Sequence, residues 1–252
     1  MRRLIAAIIS LLFFLMLITV LNTETEDKAG IPAYGDADLS SRVSERFVTK
    51  SVNGYDGEIV YGVTSDAETG SANLVTSIVV NYRSFDTLGE VTVLFISATG
   101  VGLLLGGGKK RIVEEIKVSP VARLASRIVT PLLLTLGIYV FIHGHLTPGG
   151  GFPGGAIIAA AFLLMMLTDE KRRAPSKLKI LEGYMGLTYV LLGVAGLLIS
   201  GSFLQNFLPS GTIGELLSGG LVPVVYSVIG LKVGAELSGI LDDLACEGSD
   251  ES

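Results

Sequence analysis

Six times along its 252 residues the chain runs for close to the twenty or so positions that cross a bilayer core, with almost no charge. A run of that length, wound at about 1.5 Å per residue, spans the roughly 30 Å of hydrocarbon. The apolar stretches are Leu4–Leu21, Asp86–Leu105, Val121–Ile142, a fourth ending near Leu167, Leu178–Ile199 and Leu216–Leu241. Charged residues make up only 17% of the sequence, against about 25% in an ordinary soluble domain. The expected fold is an all-α integral membrane protein with about six transmembrane helices.

The opening MRRLIAAIISLLFFLMLITVL has the basic start and apolar run of a signal peptide. Its apolar run exceeds the usual h-region of about 7–15 residues, and no small-x-small cleavage site follows. It is read as a retained first helix, residues 1–22. Residues 23–71 are polar and acidic and form the one sizeable segment outside the membrane, an extracytoplasmic lid with short β-like stretches such as Glu58–Val63. Residues 72–112 carry a short helix over Asn73–Tyr82 and the second span. Residues 113–252 carry four more spans and an acidic tail, Asp242 to Ser252. The join GGGKKRIVEEIKVSP, with its glycines and mixed charge, looks like a fusion point.

Basic residues fix the expected orientation. With the N-terminus inside, thirteen Lys and Arg fall on the cytoplasmic side and five (Lys28, Arg42, Arg46, Lys50 and Arg83) outside. The chain is therefore expected to run N-in, C-in, as a multi-pass protein of the cell membrane. A single cysteine, Cys246, excludes an intrachain disulfide framework and a multi-cysteine metal cluster.

Ionisable groups inside a bilayer are costly and mark functional sites. Asp86 and Glu90 stand at i, i+4 on one helix face, with Arg83 able to neutralise Asp86. Two carboxylates at the mouth of a span can hold a cation, or pass a proton where burial raises a pKa; as a plain alternative they anchor a helix end. Lys232, in the cytoplasmic half of the last span, either snorkels to the inner surface or faces the bundle and pairs with Glu236 at i, i+4. Small residues such as Gly193 and Gly196, or Gly230 and Gly234, suit close helix contacts.

The segment His143-Gly-His145-Leu-Thr-Pro148-Gly149-Gly150-Gly151-Phe152-Pro153-Gly154-Gly155 raises a problem of length. A fourth helix starting only after Gly155 would have about 12 residues, or about 18 Å, too short to span. The glycine-proline stretch is therefore expected to enter the membrane as irregular backbone, giving a broken or loop-entered helix. Such backbone is tolerated where it packs in protein or lines an aqueous cavity, and its free carbonyls and amides can then coordinate an ion. The competing reading is a close-packed turn whose glycines let helices approach. His143 and His145 are candidate proton relays. With no third ligand nearby no metal site is expected, and with no Gly-Lys-Ser/Thr or preceding strand the motif is no phosphate loop.

At these residues the chain resembles known subunits. GHLTPGGGFPGGAIIAAAFLL, with GLKVGAEL near the end, is similar to the B subunit of Mrp-type multisubunit sodium/proton antiporters, the MnhB family, over about residues 120–245. AYGDADL and TGSANLVTSIVVNYRSFDTLGEVTVLFISATG resemble the C-terminal part of the large Mrp A subunit over about residues 30–105. The same unit occurs as a small membrane subunit of archaeal membrane-bound hydrogenase-type complexes. Asp86 and Glu90 fall in its FDTLGE motif, and Asn81 stands where the family often has aspartate.

The resemblance implies no cofactor in this chain and no catalytic site, so that enzyme activity, if any, belongs to the surrounding complex. It implies Na+ and H+ as transported ions, with other Mrp-type membrane subunits, including large antiporter-like ones, and the lipid bilayer as partners, and no nucleic acid. The leading reading is an ion-translocating membrane subunit of an Mrp-type antiporter module. The alternative places that module in a ferredoxin-driven hydrogenase or sulfur-reducing respiratory complex, beside hydrogenase-like and iron–sulfur subunits. A structural spacer without an ion path is the third reading.

Overall fold

The computed structural model describes residues 67–105, 118–168, 175 and 177–247, with a few isolated positions between residues 10 and 49. The chain divides into two compact units, Met1–Glu45 and Arg46–Ser252. In the first, the described residues Ser10–Leu12, Phe14 and Leu15 are helical. The remainder of the 1–22 helix, the β-like stretch Glu58–Val63 and most of the 23–71 lid lie outside the described residues, as does the join at 106–117.

The described part of the second unit is helical. A short α1 (Leu74–Ser77) runs into a π-helical turn, Ile78–Tyr82. Then come α2 (Ser84–Leu105), α3 (Pro120–Ile142), α4 (Gly151–Thr168), α5 (Lys177–Ser200) and α6 (Val222–Glu247). Among the described residues five helices, α2 to α6, are long and apolar enough to cross a membrane. Their ends follow local chemistry. Asn73 caps α1 by accepting from the Thr76 N–H, and Ser119 caps α3 ahead of Pro120 at its first position, where a missing N–H costs nothing.

Among the described residues the helix assignments from residue 73 onward hold to within a few residues, with two corrections. Gly151–Gly155 is not irregular backbone but the first turns of α4, and only residues 143–150 form a non-helical turn. With those turns α4 has 18 residues, about 27 Å, so the shortfall that called for a broken helix disappears. Pro153 is tolerated because it stands in the first turn, where the backbone N–H has no intrahelical partner. The second correction is at α6, which starts at Val222 instead of Leu216 and continues through Asp242 and Asp243 to Glu247.

α6 is the centre of the bundle, packing on α2, α3, α4 and α5. Three segments meet at one end: residues 67–82, the 143–150 turn and the 201–221 loop. There the Asn73 side chain donates to the carbonyls of Gly144 and Thr147, each at 3.0 Å, and Thr76 Oγ1 donates to Gly144 at 2.8 Å. In the 201–221 loop, Leu204 is fully buried at a left-handed φ of 57°. Its N–H donates to Gly193 of α5 at 3.2 Å, which holds a backbone form that a leucine otherwise avoids.

Candidate ion-path site

The glycines of the 144–155 segment and of α6 serve close approach. A Cβ on Gly155 would lie 2.8 Å from the Gly230 carbonyl and the Gly234 nitrogen. One on Gly154 would lie 2.8 Å from the Gly137 carbonyl of α3. The α3–α4–α6 core is thus helix backbone on helix backbone, the contact that small residues permit in membranes. Gly150 is held at a φ of 140° against the Tyr226 ring, a conformation open only to glycine.

This packing places Lys232 one residue from the centre of the apolar Val222–Leu244 stretch of α6. Snorkelling is excluded, since Lys232 is 4% exposed and Glu236 1%. The Lys232 Nζ donates to Glu236 Oε2 at 2.6 Å. Its ammonium lies 5.7 Å from the centre of the Phe95 ring on α2, in cation–π range. Its stem runs past Gly186 of α5, where a Cβ would come within 3.3 Å of the lysine Cε. Glu236 Oε1 is buried without a hydrogen-bond partner. A charged pair in apolar surroundings carries a large desolvation cost, and the second carboxylate oxygen is left open to a proton, a water or a cation. Glu182 on α5 also acts electrostatically on Glu236.

Asp86 and Glu90 sit differently. Asp86 Oδ2 accepts from Arg83 Nε at 2.6 Å and from its terminal nitrogen, with both side chains more than half exposed. Glu90, one turn further along α2, is exposed on the single chain. The structure therefore does not gather Asp86 and Glu90 with Lys232 and Glu236 into one pocket. Asp86 and Glu90 lie on the exposed side of α2, whereas the pair lies inside the bundle.

The histidines divide as well. His143 stacks on Tyr139 at 4.2 Å between ring centres, and its Nδ1 lies 3.1 Å from the Tyr139 carbonyl. His145 is fully buried beneath the 201–221 loop, and neither ring nitrogen reaches a partner at hydrogen-bond geometry. Burial pulls its pKa below the usual histidine value, opposed by the nearby backbone of Glu215, Leu216 and Ile142. The amide of Asn81 in the π turn is likewise buried and unpartnered. Among the described residues no group of three His, Cys, Asp or Glu could hold a metal ion.

Several residues of the bundle are not singled out by sequence pattern. Phe95 and Gly186 flank the pair. Asp243, assigned to a tail, lies against Gly102 of α2, where a Cβ would come 3.4 Å from its Oδ2. Asp242 Oδ1 is buried without a partner. The spacing 232, 236, 243 is i, i+4, i+11, one helix face, and that signal could have found Asp243.

Known proteins resemble this chain in sequence and fold. Residues 121–239 match the family described as a domain related to the MnhB subunit of Na+/H+ antiporter, and residues 33–112 match the MbhE family of MBH subunits. A chain in the structure of the membrane-bound sulfane sulfur reductase, an archaeal respiratory membrane complex, is 37% identical, with a TM-score of 0.73 over 97% of this chain and 98% of that one. The chain belongs to the MnhB-type membrane subunits of Mrp- and MBH-like complexes. A chain of the Mrp complex from Dietzia sp. DQ12-45-1b is 27% identical with a TM-score of 0.58, over 73% of this chain but only 22% of that one. An uncharacterised protein of Methanocaldococcus jannaschii is 32% identical over 69% of this chain and 78% of its own length.

The MnhB-type and MbhE-type regions make direct contacts across their boundary. Besides the Asn73 and Thr76 bonds, Ser84 Oγ of α2 donates to the Phe203 carbonyl at 3.1 Å and the Tyr189 hydroxyl donates to the Ser84 carbonyl at 3.1 Å. Phe85 stacks on Phe203 at 4.9 Å. The MnhB-type chain is a multi-pass membrane protein and a subunit of a multisubunit membrane complex.

Proposed function

We propose that this subunit forms part of the cation and proton path of an Mrp-type module, with sodium as the exported ion. The observation that carries the reading is the Lys232–Glu236 pair, buried at mid-membrane with one carboxylate oxygen unpartnered. A buried pair of this kind adds little net stability, and an intramembrane ionisable group is a transport candidate by default. Glu90 on the exposed side of α2, and Asp242 and Asp243 near the C-terminal end of α6, supply carboxylates on either side of it along the bundle. Because Glu90 is exposed on the single chain, the path runs along the subunit's surface, completed by a neighbouring antiporter-like subunit.

The correspondence along nearly the whole chain with a sulfane sulfur reductase subunit favours a redox-driven respiratory complex over a stand-alone antiporter. Purified complex reconstituted in vesicles tests both parts. Glu236→Gln and Glu90→Gln are each expected to slow sodium-coupled proton movement by at least about tenfold, equivalent to roughly 1.4 kcal/mol on the limiting step, with the complex intact. Normal transport in both variants would leave the spacer reading. Iron–sulfur and hydrogenase-like subunits should co-purify; a preparation of membrane subunits alone would return the chain to the antiporter reading.

A further inference from the structure

At the end of the bundle opposite the 143–150 turn, α3 and α4 part to leave a groove of about 170 Å³ lined by Arg123, Ser126, Arg127, Thr130, Met165 and Thr168. Thr168 Oγ1 donates to Ser126 Oγ at 2.8 Å and so pins the two helices at this level. Pro131 also borders the groove. Its missing N–H leaves the Arg127 carbonyl without its helical partner and bends α3 there. Arg123 and Arg127 are one turn apart and exposed, and no ion-pair partner for either is found among the described residues. Among the described residues no carboxylate lines the groove. The Thr130 hydroxyl is buried with no hydrogen-bond partner.

We propose that this groove holds the phosphate headgroup of an anionic phospholipid. Two guanidinium groups and a spare hydroxyl are donors with no counter-charge among the described residues, the set that suits a phosphate oxyanion. Their depth fits a lipid. α3 has 23 residues, about 34 Å, which exceeds the hydrocarbon core of about 30 Å. The excess of about 4 Å places the first turn, with Arg123, at headgroup level, and Arg127 one turn deeper reaches it with its long side chain. Beside the groove, Leu124, Ile128 and Leu132 form an exposed apolar stripe at i, i+4, i+8, along which acyl chains can lie toward mid-membrane. A soluble phosphate would leave that stripe bare, whereas a lipid covers both surfaces. Basic pockets between transmembrane helices on the cytoplasmic side are general headgroup sites.

The purified complex, stripped of lipid and supplied with a photoactivatable phosphatidylglycerol, tests this. Label is expected on peptides spanning 123–131 and 165–168. It should be displaced by unlabelled phosphatidylglycerol far better than by phosphatidylcholine, by about fivefold for each arginine engaged, and not by millimolar inorganic phosphate. R123Q/R127Q should lose the label, while K177Q/K179Q, at the same end of the bundle on α5, should keep it. If the arginine variant fails to assemble, the competition series on the unaltered complex decides alone. Absence of label at these peptides, equal displacement by phosphatidylcholine, or displacement by inorganic phosphate would each overturn the lipid site. So would a photo-crosslinker at residue 124 that captures only a neighbouring subunit.

Discussion

α6 and the start of α2 each present a basic and an acidic residue a turn apart, and the bundle treats them in opposite ways. In α6, where 61% of the span is buried, Lys232 and Glu236 are sealed inside the bundle; at α2, where 6% is buried, Arg83 just before the helix and Asp86 in its first turn stand exposed. Pairing alone therefore says little about role. What separates the two pairs is the setting: glycines bring α4 and α5 onto α6, whereas α2 offers large apolar side chains such as Phe95, Ile96 and Leu103 to whatever lies outside the chain. One helix is the interior of this subunit and the other is its boundary.

The sharpest way to break the comparison is to introduce the same side chain on each helix. Gly155→Val places carbon against the Gly230 carbonyl and Gly234 nitrogen, 2.8 Å from the Cβ alone. Neither backbone can yield, so α4 must leave α6. The expected outcome is loss of assembled complex on size exclusion, corresponding to at least about 3 kcal/mol. Gly100→Val on α2 meets nothing within 4 Å and should leave the chain's own stability unchanged. If both variants assemble equally, the contrast between packed and bordering helix fails.

Much of this was legible in the sequence, for a physical reason. The approximate ends of the five described spans follow from apolar length. Pairing of Lys232 with Glu236 follows from i, i+4 spacing. What the sequence did not reveal depends on which helices touch. Gly151–Gly155 reads as flexible backbone until Gly230 and Gly234 are seen against it, at which point the same glycines are required for contact within a regular helix. Glu90 looks deep by counting along α2, yet burial is set by neighbours, and within this chain it has few. His145 is buried by the 201–221 loop, far along the chain, which no local pattern announces.

A second test sharpens the comparison at the buried pair. Lys232→Met leaves Glu236 buried without its cation, at a cost of about 3–5 kcal/mol. Lys232→Met/Glu236→Met removes both charges and should recover most of that stability, because a well-packed apolar pair replaces a buried ionic one at little cost. Thermal unfolding of the complex in detergent reads the stability, and vesicle transport reads the function. Stability is expected to return in the double variant while transport does not. Recovery of both would make the pair a packing device, and recovery of neither would mean that the carboxylate holds the helices together through a further partner.

The smallest effect is expected at Arg83 and Asp86. Their side chains are 67% and 51% exposed, so solvent screens the pair, and exposed pairs contribute between nothing and about 1 kcal/mol. Asp86→Asn should leave the unfolding temperature within error. Its influence on transport should be electrostatic, since a carboxylate at the mouth of α2 raises the local cation concentration before Glu90 is reached. That influence should be about two- to threefold on the apparent cation affinity at low ionic strength. It should vanish near 1 M salt, where the screening length falls to about 3 Å. Glu90→Gln, by contrast, should keep its defect at high salt if the carboxylate is covered by a neighbouring subunit, because buried charges are screened much less. Should Asp86→Asn prove as damaging as Glu236→Gln, and as indifferent to salt, then α2 is not exposed in the complex. The boundary drawn from the single chain would have to move outward to include the subunit that covers it.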